Sequence, residues 1–184
     1  MRERVVFLDR DGVINRFPGI GNYVTRREDF RFLPRVREAV RLLNDAGFEL
    51  KVLSNQGCVS HGLLTKKELE VITRKMLAGI EKKGGRIKGV HYCPHRTADH
   101  CRCKKPETGL FKKAVGWRKF DFSKTYFVGD SREDVEAGRR IGCRTLLVLS
   151  GRTKKKDLAV FQPKPDLVKK DLWEAAKWII QEKS

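Results

Sequence analysis

Two aspartates two residues apart, Asp9 and Asp11 in the segment FLDRDGVIN, are the first residues of this chain whose types and spacing point to chemistry. They follow the apolar run Val5–Leu8, and Gly12 lets the chain turn after them. Acids so placed can divide labour. One can attack an electrophile while binding a cation, and the other can give and take protons. A second signal is KVLSNQG, where Ser54 offers a hydroxyl at a strand end. Asn55 and nearby backbone N–H groups could add donors to a phosphate. A third is YFVGDSREDVEAG, in which Asp130 follows a strand and Gly129. Carboxylate oxygens there suit Mg²⁺. Asp134 can share that role or can simply complement a helix dipole as a first-turn acid, so Asp130 is the stronger ligand. A fourth is Lys105-Pro106, whose ammonium could neutralise an attacked phosphoryl group.

Residues 93–105 read CPHRTADHCRCKK, and three of the chain's five cysteines fall in this stretch beside a run of cations. Cys93, His95, Cys101 and Cys103 give the pattern C-x-H-x5-C-x-C. Three thiolates and one imidazole form a closed tetrahedral set, the structural type of zinc site. His100 competes for the fourth position, with His91 a weaker candidate. The cations beside the cluster also allow a zinc knuckle that binds nucleic acid.

These residues need a scaffold. The spacing predicts strands at Val5–Leu8, Leu50–Leu53, Ile87–Tyr92, Thr125–Val128 and Thr145–Leu149. Helices are expected over Pro34–Ala46, Thr65–Lys83, Thr108–Trp117, Glu133–Ile141 and Asp171–Gln181. Thr65 and Glu68 form a capping-box signature, and Gly47 is a stop signal. Strands alternating with helices imply an α/β domain with a mainly parallel sheet, whose ligands bind beyond the carboxyl ends of the strands. Asp9, Asp11, Ser54, Asn55 and Asp130 all fall at such ends. A single domain spanning 1–184 is expected, with a metal loop at about 91–106.

Taken in order, these signals resemble the haloacid dehalogenase (HAD) superfamily of aspartate-nucleophile phosphatases. FLDRDGVIN, SNQG, CPH…CRCKKP and VGDSREDVEAG look like the branch that holds the D-glycero-D-manno-heptose 1,7-bisphosphate and histidinol-phosphate phosphatases. The resemblance implies a Rossmann-like fold with helices on both faces and a minimal cap. It implies Asp9 as nucleophile, Asp11 as general acid and base, and Ser54 and Lys105 as stabilisers of the phosphoryl group. Mg²⁺ would be held by Asp9, the backbone carbonyl of Asp11, and Asp130. The C-P-H of related phosphatases favours His95 as the fourth zinc ligand, so that zinc ties a loop delivering Lys104 and Lys105. Lys104 and Asn55 would contact substrate, as would Arg16 and Tyr23 of the loop RFPGIGNYV.

Three features depart from the heptose branch. Ser131 stands where a lysine is common, Lys104 replaces an arginine, and the loop after the first motif is longer. The compact zinc-loop spacing is similar to histidinol-phosphate phosphatases.

The net charge of +18, from 41 Lys+Arg and 23 Asp+Glu, favours anionic partners. No apolar run approaches the roughly 20 residues of a membrane span. MRERVVFLDRDG has no long apolar segment, so no signal peptide is expected and the cytoplasm is the expected compartment. The leading expectation is a Mg²⁺-dependent phosphomonoesterase that removes the C7 phosphate of heptose 1,7-bisphosphate as a monomer. Alternatives are histidinol phosphate, a nucleic-acid 3′-phosphate, or a zinc-containing nucleic-acid-binding module. Against the last, Asp9, Asp11 and Asp130 would repel a phosphate backbone unless Mg²⁺ intervened, and aromatics do not interleave with the basic residues.

Overall fold

The structure is a computed structural model that describes residues 4–117 and 119–182. Its centre is β1 (Val5–Leu8), four residues whose side chains alternate between two buried faces. Val6 and Leu8 pack into one hydrophobic cluster, and Val5 and Phe7 into another. A strand buried on both sides reads as a continuous apolar run, and VVFL is one.

β2 (Glu49–Asn55) and β4 (Tyr126–Gly129) flank β1, with Val6 opposite both Leu50 and Tyr126. β3 (Gly89–Cys93), β5 (Arg144–Val148) and β6 (Leu167–Lys169) complete a six-stranded sheet in the order β3-β2-β1-β4-β5-β6. Every pairing is parallel. The order reverses at β1, which opens a crevice beyond its carboxyl end.

One face is covered by α1 (Val36–Asp45), α2 (Lys66–Glu81) and α5 (Leu172–Gln181). The apolar stripe of α1 is Val36, Ala39, Val40 and Leu43, and Gly47 follows at φ +81°. The expected start at Pro34 is two residues early, because Arg35 adopts a left-handed conformation. The capping box of α2 forms as its sequence predicts, Thr65 and Glu68 each accepting from the other's backbone. The opposite face carries α3 (Gly109–Ala114) and α4 (Arg132–Ile141). There Phe111 sits edge-on between Phe7 and Phe127, with centroids 5.2 and 5.0 Å away. Burying such a ring contributes about 2–3 kcal/mol.

The differences from expectation are local. β3 starts two residues later and ends one later than expected, so Cys93 belongs to the strand. α3 is shorter than 108–117. β6 was not expected, since three residues between turn-rich segments carry no readable alternation; its pairing with β5 creates it. No described helix is long and apolar enough to cross a membrane.

Candidate active site

Parallel pairing brings the ends of β1, β2 and β4 together, and the acids that follow them meet there. Asp9 is buried, with its backbone N–H donating to Val128 O at 2.9 Å. Lys105 enters from the metal loop. Its Nζ donates to Asp9 Oδ1 at 2.6 Å, Asp134 Oδ1 at 2.7 Å and Leu53 O at 2.8 Å. Asn55 fixes that lysine through its own backbone: Asn55 Nδ2 donates to Lys105 O at 3.1 Å, and Lys105 N donates back to Oδ1 at 3.0 Å.

Asp134 does more than complement a dipole. Its Oδ2 accepts from the N–H groups of Asp130 and Ser131, each at 3.1 Å, and from Ser131 Oγ at 2.6 Å. Ser131 caps α4 in return, completing a capping box. The D-S-R-E-D spacing was the signal that could have raised Asp134 above a helix-end acid. Asp130 is held by the Arg152 N–H, which donates to its Oδ2 at 2.6 Å. Two glycines make room for it. A Cβ on Gly12 or Gly151 would lie 2.0 or 1.8 Å from Asp130 Oδ2, and Gly12 has φ +88°.

Asp9, Asp130 and Asp134 each present a carboxylate oxygen within 4.8 Å of the others. Three buried acids then share one buried ammonium. Burial pushes Asp9 up to about 6, Lys105 opposing the rise and Asp134 and Asp11 adding to it. Burial, with Asp134 and Asp9 nearby, holds Asp130 well above the usual carboxylate range. For Lys105, burial works against the charge, but Asp134 and Asp9 outweigh it and keep the ammonium protonated. A hard divalent cation with oxygen ligands fits this excess of buried negative charge.

Asp11 points elsewhere. Its carboxylate is bound by Arg10, Asn15 and Gln56, on the side of the crevice formed by β2. Neither Arg10 nor Gln56 was singled out by the sequence reasoning, although both lie inside the quoted motifs.

Above these residues is a cavity of about 310 Å³, lined by Asp9, Asp11, Ser54, Lys104, Lys105, Asp130, Arg152 and residues 17–23, among others. A Cβ on Gly57 would lie 3.6 Å from both Lys104 Nζ and the Tyr23 hydroxyl, so these two groups converge on one point of the wall. Arg16 is exposed and does not line this cavity. Its backbone N–H donates to Arg31 O at 2.9 Å.

In the metal segment, Cys93, His95, Cys101 and Cys103 bring four donor atoms within 4.8 Å of one another. Cys93 and Cys103 Sγ are 3.0 Å apart, and His95 Nδ1 lies 3.2 Å from Cys103 Sγ. His100, exposed and left-handed at φ 44°, is outside this group, as is His91 on β3. Burial would raise the Cys101 thiol, but the backbone N–H groups of Cys103 and Lys104 outweigh it and bring it down to about 7. A soft three-sulfur, one-nitrogen set in this arrangement fits Zn²⁺.

The chain is similar to known proteins over most of its length. A HAD-hydrolase-like family model matches residues 102–175. The D-glycero-beta-D-manno-heptose-1,7-bisphosphate 7-phosphatase of Neisseria meningitidis serogroup A is 34% identical over 152 residues, covering 83% of this chain and 80% of the relative. That of Haemophilus ducreyi is 31% identical, covering 97% of this chain and all of the relative. A crystal structure of the D,D-heptose 1,7-bisphosphate phosphatase of B. bronchiseptica, complexed with magnesium and phosphate, superposes with a TM-score of 0.90 at 30% identity. It covers 97% of this chain and 99% of its own.

Proposed function

The chain belongs to the HAD-like phosphatases, in the branch of the heptose-1,7-bisphosphate 7-phosphatases, and on that premise we propose how its own residues remove a phosphate, and from what. Asp9 is the nucleophile. One of its carboxylate oxygens bonds to phosphorus while the ester bond to the leaving oxygen breaks, and Asp11 gives that oxygen its proton. The products are an alcohol and an aspartyl-phosphate on Asp9. Asp11, now a carboxylate, takes a proton from water as the water oxygen attacks phosphorus. The Asp9–phosphorus linkage then breaks and inorganic phosphate leaves.

Lys105 and Ser54 face the charge that gathers on the phosphoryl oxygens, where fixed donors act most strongly. Asp9, Asp130 and the Asp11 carbonyl would hold Mg²⁺, with Asp134 beside them to retain Lys105. When bound, Mg²⁺ supplies further neutralisation of the phosphoryl group. Cys93, His95, Cys101 and Cys103 would hold a structural Zn²⁺ that fixes the loop bearing Lys104 and Lys105. Lys104 and Tyr23 contact the remainder of the substrate. Asn55 supports Lys105 and keeps one amide hydrogen for the cavity.

The substrate is a small phosphorylated metabolite, with heptose 1,7-bisphosphate and its C7 phosphate as first choice. The observation that carries this reading is the buried Asp9–Lys105–Asp134 chain beside Asp130, at the point where the strand order reverses. The relatives' printed names support the substrate. Reduced thiols clustered for metal suit the cytoplasm, and the protein is expected to act as a monomer.

The test is a panel of both heptose 1,7-bisphosphate anomers, histidinol phosphate and a 3′-phosphorylated oligonucleotide, assayed with and without Mg²⁺. The heptose esters should give the highest kcat/KM, and Asp9→Asn should lose at least about a thousandfold in kcat. An active Asp9→Asn would sink the mechanism. A preference for histidinol phosphate or the oligonucleotide would reassign the substrate.

A further inference from the structure

Arg10 is the largest fully buried side chain among the described residues, and the proposed mechanism does not use it. It lies directly behind Asp11. Its Nη2 reaches both Asp11 oxygens, Oδ2 at 2.9 Å and Oδ1 at 3.1 Å, and its Nε reaches Oδ2 at 3.2 Å. Gln56, also fully buried, donates from Nε2 to Asp11 Oδ2 at 2.7 Å. Asn15 Nδ2 donates to Oδ1 at 2.8 Å. Both oxygens of one carboxylate are therefore held by three side chains from two strand ends.

The same amide reaches a second group of the site. Gln56 Nε2 also donates to Ser54 Oγ, at 3.1 Å. Its direction is set by its other end, where Oε1 accepts from Arg10 Nη2 at 3.0 Å. Since Ser54 Oγ accepts from Gln56, its own hydrogen is left to donate elsewhere, and Ser54 lines the cavity. The support continues outward. The Gln56 backbone N–H donates to Cys93 O at 2.7 Å. The Arg10 guanidinium lies 5.6 Å from the Tyr92 ring centre, and the Tyr92 hydroxyl meets Thr73 Oγ1 of α2 at 2.9 Å.

We propose that Arg10 and Gln56 are positioning residues: a buried guanidinium–amide clamp that fixes the Asp11 carboxylate and the Ser54 hydroxyl in one relation before substrate arrives. The proposal rests on the reading of Asp11 as general acid and base. Orientation matters most where a proton must be handed over in line with a breaking bond. Misplacement by about 1 Å can cost on the order of a hundredfold. A guanidinium buried only for stability would be a poor choice, since apolar residues of similar volume usually serve as well. Here its Nε and Nη2 donors converge on one carboxylate and on the amide that holds it.

The leaving group separates positioning from general structural support. A sugar phosphate needs a proton on its departing oxygen, whereas an activated aryl phosphate does not. The full-length protein with Mg²⁺ is assayed as Gln56→Met, which keeps volume and removes the amide. Arg10→Lys, which keeps the charge and loses the fork, serves should the first fail to fold. Each variant should lose about a hundredfold in kcat on a sugar phosphate. On the aryl ester it should still release one equivalent of phenol in a burst slowed far less than sugar-phosphate turnover, the smaller loss being that of the displaced Ser54 hydroxyl, followed by slow turnover, because Asp11 is then misplaced for activating water. Equal losses on both esters in the burst phase, or no loss on either, would overturn the clamp while an inactive Asp11→Asn left the catalytic reading intact. A fully active Asp11→Asn would overturn both.

Discussion

At the scale of single residues, this site concentrates buried negative charge at the floor of a cavity. Asp9 and Asp130 are raised because they are buried beside Asp134; Lys105 offsets the rise at Asp9, and the Arg152 N–H and Lys105 offset it at Asp130. A carboxyl group raised in the folded state holds its proton more tightly there than in the unfolded chain. Its contribution to stability is complete below the unfolded value and is lost as pH rises through the folded one. Without a divalent cation, the Asp9 contribution should therefore fade between about pH 4 and about pH 6. A bound cation takes the proton's place, so the rise in melting temperature caused by Mg²⁺ should grow as pH goes from 5 to 7.5. Scanning calorimetry on metal-free protein checks this. An increment that is flat with pH, or that falls, would contradict the assigned cation site.

At the scale of elements, the chain turns sharply where it must pass the acids. Gly12 follows β1 at a positive φ, and a side chain there would collide with the Asp130 carboxylate. Gly12→Ala should destabilise the protein by about 1–3 kcal/mol in urea titration, and should weaken Mg²⁺ binding in the same samples. An unchanged cation affinity would mean that Asp130 tolerates displacement. The loop that carries the Cys93–His95–Cys101–Cys103 cluster is attached to the sheet: Cys93 ends β3, and the Lys104 N–H reaches Cys101 Sγ at 3.4 Å. Asn55 then carries the constraint to Lys105. Cys101→Ser should lose zinc by elemental analysis and raise KM. Unchanged zinc content and KM would sink the assigned role of the loop.

At the scale of the whole molecule, a net charge of +18 surrounds an acidic site that must receive an anion. A surplus of cations raises the local concentration of a phosphate ester and speeds its encounter. Between 20 and 300 mM salt the Debye length shrinks severalfold. kcat/KM should then fall clearly while kcat holds steady. Equal decline in both would show that salt acts on the folded site and not on encounter.

The motifs and the alternation of elements were legible in the amino-acid order. VVFL, the Thr65–Glu68 box and the 3.6-residue stripe of α1 are local patterns, and local patterns survive without tertiary context. Asp9, Ser54 and Asp130 were found because each sits at a strand end, where a parallel sheet puts its ligands. By itself, then, the sequence determined the parallel α/β class, the acids at the sheet's carboxyl edge, and the clustering of Cys93, His95, Cys101 and Cys103 in one loop. Only the tertiary structure decided the rest. It added β6 by pairing it with β5 and left Arg16 outside the cavity. It drew Asp134 into the charge cluster, and it set Arg10 and Gln56 behind Asp11. The pairing of β6 and the contact between Arg10 and Gln56 depend on residues far apart in the chain, 21 and 46 positions, meeting in space. A one-dimensional pattern carries no term for such meetings, because burial and pairing energies arise only once the strands have set their order.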